Sequence, residues 1–487
     1  MASVSPSTFV GKPIKFGTDG WRGVIAADFT FDRVGKVAAL AAQVLEETYG
    51  SSGDSKGSKT VIVGYDRRFL SPDFARYAAE GIASAGYTVK LSECFAPTPA
   101  FSWAAFDQKA LGAIVITASH NPAAYNGLKI KSALGGSVPP EVTEKVEAKL
   151  GELTSKAETP GEITSFDPWP SYCSALQSMV DIEAIRKAVD ESKLTIFAEV
   201  MHGAASTGVG RLLKREINEI NSEADPLFEG GAPEPLPKYI PKLFEAIENK
   251  ENDGLTVGLI FDGDSDRIAG MDGNATFLSS QVLIPILMEH LTQRRGMTGE
   301  VVKTLSGSNL FLALAKQYGL SVHETPIGYK YIADRMLEAE VLIGGEESGG
   351  IGYGHHIPER DALLSALYLL EAVVQSGKDF GELNDSLRAQ TEFTAAYDRI
   401  DLPLASMEVR AKLLKALASS TPTAVAGKKV NNTITVDGYK LNLEDDSWLL
   451  IRFSGTEPVL RLYSEAGSIE RVHEILAWAK DWANSVE

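Results

Sequence analysis

At 487 residues, with 44% hydrophobic and 23% charged residues, the chain has the composition of a soluble globular protein of several domains. Its formal charge of -18 excludes nucleic acid or an anionic membrane as partner unless a strong basic patch opposes it, and no such Lys/Arg run occurs. No apolar run nears the ~20 residues a bilayer demands, the start Met1-Ala2-Ser3 lacks the basic and apolar regions of a secretory signal, and two cysteines, Cys94 and Cys173, are too few for a disulfide framework or a metal cluster. These features predict a cytoplasmic protein.

The first motif is F-G-T-D-G-W-R-G, Phe16 to Gly23, a Gly-rich turn that offers Arg22 to an anion. Thr60 to Tyr65 predicts a strand, Ser71 and Pro72 an N-cap and first helical residue, the stretch to Gly86 a helix, and Tyr87 to Leu91 a strand, which make a βαβ unit. Leu111 to Ile116 predicts a buried strand. It closes on T-A-S-H-N-P, Thr117 to Pro122, where Asn-Pro turns the chain and displays Ser119 beside His120. That suits a nucleophile or a phosphate carrier, although an ordinary strand-to-loop turn reads alike.

The same phrase returns as Leu194 to Val200 with a helix through Leu212, and again as Val301 to Thr304, a helix to Gly319, and Leu320 to His323. The turn from His202 to Gly210 lacks the G-x-G-x-x-G spacing of a dinucleotide site. Glu152 to Pro170 is polar and proline-bearing and closes a first domain, while the prolines of Asp225 to Pro241 predict a long surface loop. Strand-helix alternation changes character around Ser376 to Asp385. Beyond it, a hairpin at Val436 to Tyr439, strands Trp448 to Phe453 and Leu460 to Tyr463, and an amphipathic helix from Ser468 predict a smaller α+β domain. The expected divisions are 1–163, 164–276, 277–384 and 385–487.

Three further motifs carry chemistry. D-G-D-S-D-R, Asp262 to Arg267, follows the apolar strand Val257 to Phe261, and its alternating carboxylates can converge on a hard cation and leave room for a phosphate oxygen. An EF-hand would need glycine and glutamate where Arg267 and Gly273 stand; a phosphatase with an aspartyl nucleophile at Asp262 stays open. G-G-E-E-S-G-G, Gly344 to Gly350, follows Val341 to Ile343 and offers acceptors for sugar hydroxyls. His355, His356, Glu359, Arg360 and Asp361 come next without zinc-ligand spacing. R-F-S-G-T-E-P, Arg452 to Pro458, joins an arginine fork, two hydroxyls and backbone N–H groups into a phosphate cradle.

In content and in order, these five motifs closely resemble the α-D-phosphohexomutase superfamily, which includes phosphoglucomutases and phosphomannomutases. The resemblance covers essentially the whole chain. It implies an α/β fold of four domains around a central cleft: three related α/β domains with mixed sheets, carrying in turn the phosphoserine, metal-binding and sugar-binding loops, and a smaller α+β C-terminal domain with the phosphate-binding loop. Ser119 would be the phosphoserine, and Asp262, Asp264 and Asp266 would bind Mg²⁺ with its phosphate. Arg22 and Arg267 would neutralise the phosphoryl group and Lys129 would assist proton transfer. Glu346 and Ser348 would hold sugar hydroxyls, with Lys303, Gly328, Tyr329, Lys330 and Arg360 as further substrate contacts. Arg452, Ser454, Gly455 and Thr456 would clamp the phosphate that is not reacting.

Some superfamily members carry histidine after E-x-S-G, where this chain has Gly350; the alternatives for the acid/base on that side are His355 or His356 moving in, or Lys129 with His120. The E-E-S-G form and Gly328-Tyr329-Lys330-Tyr331 resemble glucose-type members more than the G-E-M-S-G-H or G-E-Q-S-G-H forms of mannose and glucosamine enzymes. The implied activity is interconversion of glucose 1-phosphate and glucose 6-phosphate, with glucose 1,6-bisphosphate as intermediate and activator. Net synthesis of that bisphosphate from a sugar-bisphosphate donor, phosphomannomutase activity and a non-catalytic sugar-phosphate sensor are the alternatives, and no obligate protein partner is evident. A phosphoserine carries about −1.5 to −2 charges, so with three aspartates and one Mg²⁺ the site would total roughly −3. Arg22, Lys129, Lys131, Arg267, Lys303, Lys330, Arg360 and Arg452 would reverse that sign.

Overall fold

Each of the first three sheets is built from parallel strands that end in an antiparallel hairpin, and the apolar run before each motif is the strand that enters it. The computed structural model describes residues 11–486 apart from 18, 52, 152–156, 251–253 and 454–457. In the first sheet, Thr60–Tyr65 pairs in parallel with Thr88–Ser92 and Gly112–Ile116, and Gly112–Ile116 turns back antiparallel into Tyr125–Ser132. Gly20–Val24 and Phe16–Gly17 extend that edge, and Ile163–Phe166 forms the other, giving seven strands. The division expected between 163 and 164 falls within this last strand.

The scheme repeats with fewer strands. Leu255–Phe261 runs parallel to Leu194–Glu199 and antiparallel to Ile268–Met271, and Val341–Gly345 runs parallel to Glu300–Thr304 and antiparallel to Ile351–Gly352. Their buried faces explain why these strands read as continuous apolar runs. The Ser119, Asp262 and Glu346 motifs are therefore the turns of equivalent hairpins. The fourth sheet is antiparallel throughout; its Trp448–Phe453 leads into the fifth motif and Val459–Ala466 follows it, and Ile469–Val486 packs behind the sheet.

One apolar core runs from Phe101 and Ala104 of the first unit through Trp169, Leu212 and Phe261 to Leu314 and Leu367 of the third. The C-terminal sheet and helix keep a separate core around Leu413, Leu449 and Ile475, and meet the third unit through a smaller cluster of Leu305, Trp448, Leu450 and Tyr463.

Local structure departs from expectation in two places. Ser71 is not the N-cap: Leu70 takes that position with φ 60°, and the Ser71 hydroxyl donates to Asp66 Oδ1 at 2.8 Å. Asp225 to Pro241 is more than a surface loop, since it holds two short 3-10 turns and buries Phe228.

Helices Phe31–Tyr49 and Ser71–Ser84 cover the outer face of the first sheet and approach closely where Gly35 meets Gly81. A Cβ at Gly81 would come within 2.9 Å of Gly35 Cα. Gly81→Ala is therefore expected to lower unfolding free energy by about 1–3 kcal/mol through overpacking, checked by urea denaturation.

Candidate active site

The Ser119 turn is set by its own backbone. Ser119 takes a left-handed φ of 51°, its N–H donates to Thr117 Oγ1 at 2.8 Å, and Thr117 N donates to Gly127 O across the hairpin at 2.9 Å. The serine is not displayed to solvent as its sequence context implied, being 1% exposed. The second hairpin turn covers it: Ser119 Oγ donates to Asp262 Oδ2 at 2.9 Å, and His120 Nδ1 lies 3.2 Å from the same hydroxyl.

Asp262 has both oxygens engaged by the protein, and Asp264 and Asp266 have one each. Asp262 Oδ1 accepts the N–H groups of Asp266 and Arg267, both at 3.1 Å, with Ser265 in the left-handed region at φ 59°. Asp264 Oδ2 accepts Thr98 Oγ1 at 2.6 Å and Lys129 Nζ at 2.8 Å, and Asp266 Oδ2 accepts Lys129 at 2.8 Å and Arg360 at 2.7 Å. Among the described residues Asp264 Oδ1 and Asp266 Oδ1 are buried without a hydrogen-bond partner, and an oxygen from each of the three carboxylates lies within 4.8 Å of the others. Buried partnerless carboxylate oxygens are costly, and a hard divalent cation is the ligand that such an all-oxygen set accepts. Burial, with Asp266 and Asp264 alongside, pushes the Asp262 carboxyl well above its usual range, a shift that a bound cation would oppose.

Counter-charge comes from beneath. Lys129 lies between Asp19 Oδ2 at 2.7 Å and the carboxylates of Asp264 and Asp266; these outweigh its burial and raise its pKa. Its ammonium is thereby fixed against three carboxylates. Lys131 is buried too, tied to Ser137 Oγ at 2.9 Å and to Asp19 and Glu359. Arg360 joins Asp19, Asp266 and Glu346.

Asp19, Glu346 and Arg360 of this network line a cavity of about 290 Å³, and His120, which touches the Ser119 hydroxyl, lines it too. Arg22 and Arg267 join them, with Gly328, Tyr329, Lys330 and Ser348 from the third unit and Arg399, Arg452, Arg461 and Tyr463 from the C-terminal sheet. Arg22 donates to Asn121 Oδ1, and Lys330 Nζ lies 4.8 Å from the Tyr331 ring.

The family descriptions for phosphoglucomutase/phosphomannomutase match in order along the chain: α/β/α domain I at residues 13–157, domain II at 170–275, domain III at 279–390 and the C-terminal domain at 408–478. A phosphoglucomutase/phosphomannomutase of Thermococcus kodakarensis is 30% identical over 467 residues, covering 95% of this chain and 96% of its own. The chain belongs to the phosphoglucomutase/phosphomannomutase family. A phosphoglucosamine/phosphogalactosamine mutase of Sulfurisphaera tokodaii is also 30% identical, over 93% of this chain and 95% of its own. A Thermus thermophilus protein whose crystal structure carries the phosphomannomutase name superposes with a TM-score of 0.83 at 32% identity, covering 98% of this chain and all of that one. The N-acetylphosphoglucosamine mutase of Aspergillus fumigatus, solved with GlcNAc-6P and magnesium, shares the fold at 14% identity with a TM-score of 0.58.

Within this phosphoglucomutase/phosphomannomutase fold, several expected residues lie elsewhere. Lys303 is 0% exposed and away from the cavity: Nζ donates to Gly307 O at 2.8 Å and pairs with Glu324 at 2.9 Å, its register partner on the next strand. His355 hydrogen-bonds the Tyr368 hydroxyl at 2.7 Å, and His356 bonds Asp361 at 3.1 Å while stacked on Trp103, so neither replaces a histidine at position 350. The Arg360 stem packs where a side chain on Gly350 would stand. Ser454, Gly455 and Thr456 lie outside the described residues.

Arg399 and Arg461 were not anticipated. Arg461 is the cross-strand partner of Arg452 on one side and of Asp401 on the other, and Arg452 Nε donates to Asp437 Oδ2 at 2.9 Å. Arg461 Nε is buried without a hydrogen-bond partner among the described residues, whereas Arg399 is paired with Glu347 at 2.9 Å. The signal was present in Leu460-Arg461-Leu462, where strand alternation puts arginine on the face opposite two core leucines.

A Cβ at Gly263 would lie 2.5 Å from the Ser119 carbonyl oxygen and 2.9 Å from Pro233 Cγ, so the serine and aspartate turns meet only because this residue is glycine. Gly263→Ala and Thr98→Val are each expected to weaken Mn²⁺ binding by about 10- to 100-fold through misplaced carboxylates. Calorimetric titration of the purified protein measures this.

Proposed function

We propose that the protein is a phosphoserine-dependent hexose-phosphate mutase that interconverts glucose 1-phosphate and glucose 6-phosphate through glucose 1,6-bisphosphate. The carrying observation is that the Ser119 hydroxyl donates to a buried aspartate triad with two partnerless carboxylate oxygens, and that His120 and Arg360, which touch that group, line a cavity together with Arg22, Arg267, Arg452 and Arg461. A phosphoryl carrier and a set of arginines able to hold a second phosphate thus share one cavity. The E-E-S-G form of the sugar loop, with Gly350 filled by Arg360, supports glucose as the sugar.

Asp262, Asp264 and Asp266 would hold Mg²⁺ together with the phosphate on Ser119, and their oxygens fit it. Bound there, the cation stabilises charge on the phosphoryl oxygens. Substrate binds with its phosphate against Arg452 and Arg461, joined by Ser454, Gly455, Thr456 and Lys330, while Glu346 and Ser348 hold sugar hydroxyls. Arg22 and Arg267 flank the phosphoryl group and neutralise it as it moves, and positioning carries most of the rate.

In the first half-reaction the P–O bond to Ser119 Oγ breaks, a P–O bond to the sugar hydroxyl forms, and the hydroxyl proton passes to the serine side; in the second, the P–O bond at the sugar's other phosphate breaks, the bond to Ser119 Oγ re-forms, and the proton returns to the sugar oxygen. His120 Nδ1 stands at the serine end of that exchange, and the carboxylates of Asp19 and Glu346 line the sugar end. The bisphosphate then turns over so that its other phosphate meets Ser119. Burial of Ser119 keeps water from the phosphoserine throughout.

Ser119→Ala is expected to abolish conversion of glucose 1-phosphate in the presence of Mg²⁺ and glucose 1,6-bisphosphate, and chelation of the metal to stop the wild type. Undiminished turnover by the variant would sink the proposal. Because the similar proteins include phosphoglucosamine mutases, the same assay with mannose and glucosamine phosphates tests the sugar, with the highest kcat/KM expected for glucose. Arg461→Ala should raise KM by about tenfold or more, as loss of a charge-assisted phosphate contact does.

A further inference from the structure

Arg68 takes no part in the cavity lining, yet it is almost fully buried directly behind the Ser119 turn. Its guanidinium donates to four backbone carbonyls of that one turn: Nη2 to Ser119 O and to Asn121 O at 2.6 Å, and Nη1 to Pro122 O and Tyr125 O, each at 3.2 Å. Asp66 lies beside it, with Oδ2 3.4 Å from Nε, and accepts the Arg68 N–H through Oδ1 at 3.0 Å. The outer face of the guanidinium is covered by the ring of Phe228, 4.9 Å away, which comes from the second unit.

We propose that Arg68, capped by Phe228, is the positioning residue of the phosphate-carrying turn. This rests on the reading of Ser119 as that carrier. A trans peptide sets its C=O and N–H in opposite directions, so drawing the Ser119 carbonyl toward Arg68 turns the His120 N–H away from it, and the serine is held in the left-handed conformation at φ 51°. Only a planar fork with several fixed donors reaches four carbonyls at once, and lysine cannot reproduce it. Without the fork, these carbonyls lose their shared donor and the turn can relax away from Asp262.

The Phe228 contact ties this fixation to the second unit. Phe228 belongs to the Asp225 to Pro241 segment, whose Pro233 carbonyl also accepts the Gly263 N–H at 3.1 Å. One segment therefore touches both the metal turn and the residue that fixes the serine turn.

The test charges wild type, Arg68→Lys and Phe228→Leu with glucose 1,6-bisphosphate, follows gain and loss of one phosphoryl group by intact mass, and measures kcat and KM for glucose 1-phosphate. Arg68→Lys is expected to lower kcat by about 100-fold, the cost of misplacing a reacting atom by about an ångström, with KM nearly unchanged and a shorter phosphoserine lifetime. Phe228→Leu should move kcat and lifetime the same way by a smaller factor, with an unfolding midpoint near that of the wild type. A merely structural role would reduce the fraction of active protein and leave the lifetime per molecule unaltered. Wild-type kcat and lifetime in Arg68→Lys overturn the inference, as does the same result in Phe228→Leu should Arg68→Lys not fold. A wild type that never gains the phosphoryl group instead overturns the reading of Ser119.

Discussion

The site depends on the ammonium of Lys129, held between Asp19, Asp264 and Asp266. Four aspartates gathered out of water would repel one another and lose hydration, and one buried cation touching three of them offsets much of both costs. The same contacts join loops from different parts of the chain: Asp19 and Lys129 come from the first unit, Asp264 and Asp266 from the second, and Arg360 closes on Asp19 and Asp266 from the third. Charge neutralisation and assembly of the cleft are thus one set of bonds. The lysine engages Asp264 and Asp266 through Oδ2, and the Oδ1 of each is left without a hydrogen-bond partner among the described residues.

Topology makes this convergence possible. In each of the first three units the strand entering the motif lies within a parallel sheet and leaves through an antiparallel partner, so every motif emerges at the same kind of edge. Ligand sites of α/β sheets lie at such strand ends. Repetition of the unit supplies three turns of like origin that differ in residues: a serine beside a histidine in the first, three carboxylates in the second, and Glu346 with Ser348 in the third. Among the described residues the C-terminal sheet reaches the cavity through a side-chain face of its strands, which is why its contribution includes Arg399 and Arg461.

The strands before Ser119, Asp262 and Glu346 were legible because apolar runs ending in polar, glycine-rich turns leave a local pattern. So were the acidic triad and Arg22, Arg267 and Arg452, which stand within motifs. Residues whose roles depend on pairing across the chain were not. Lys303 reads as a functional cation at a strand end until strand register sets Glu324 beside it. Arg461 acquires its meaning from Arg452 on the neighbouring strand, and Arg68 from backbone carbonyls, which have no side-chain signature. The buried state of Ser119 was hidden likewise, because its cover comes from a turn more than a hundred residues away.

The continuous core of the first three units has a mechanical consequence. Serine, carboxylates and sugar loop share one packed interior and keep fixed distances from one another, whereas the wall bearing Arg452 and Arg461 rests on an interior of its own, joined through a small cluster. In effect the serine and aspartate turns stand on one body and Arg452 and Arg461 on another, so the distance between the two sets is fixed by the Leu305–Trp448 cluster and by polar contacts such as Arg399–Glu347 and not by a shared core.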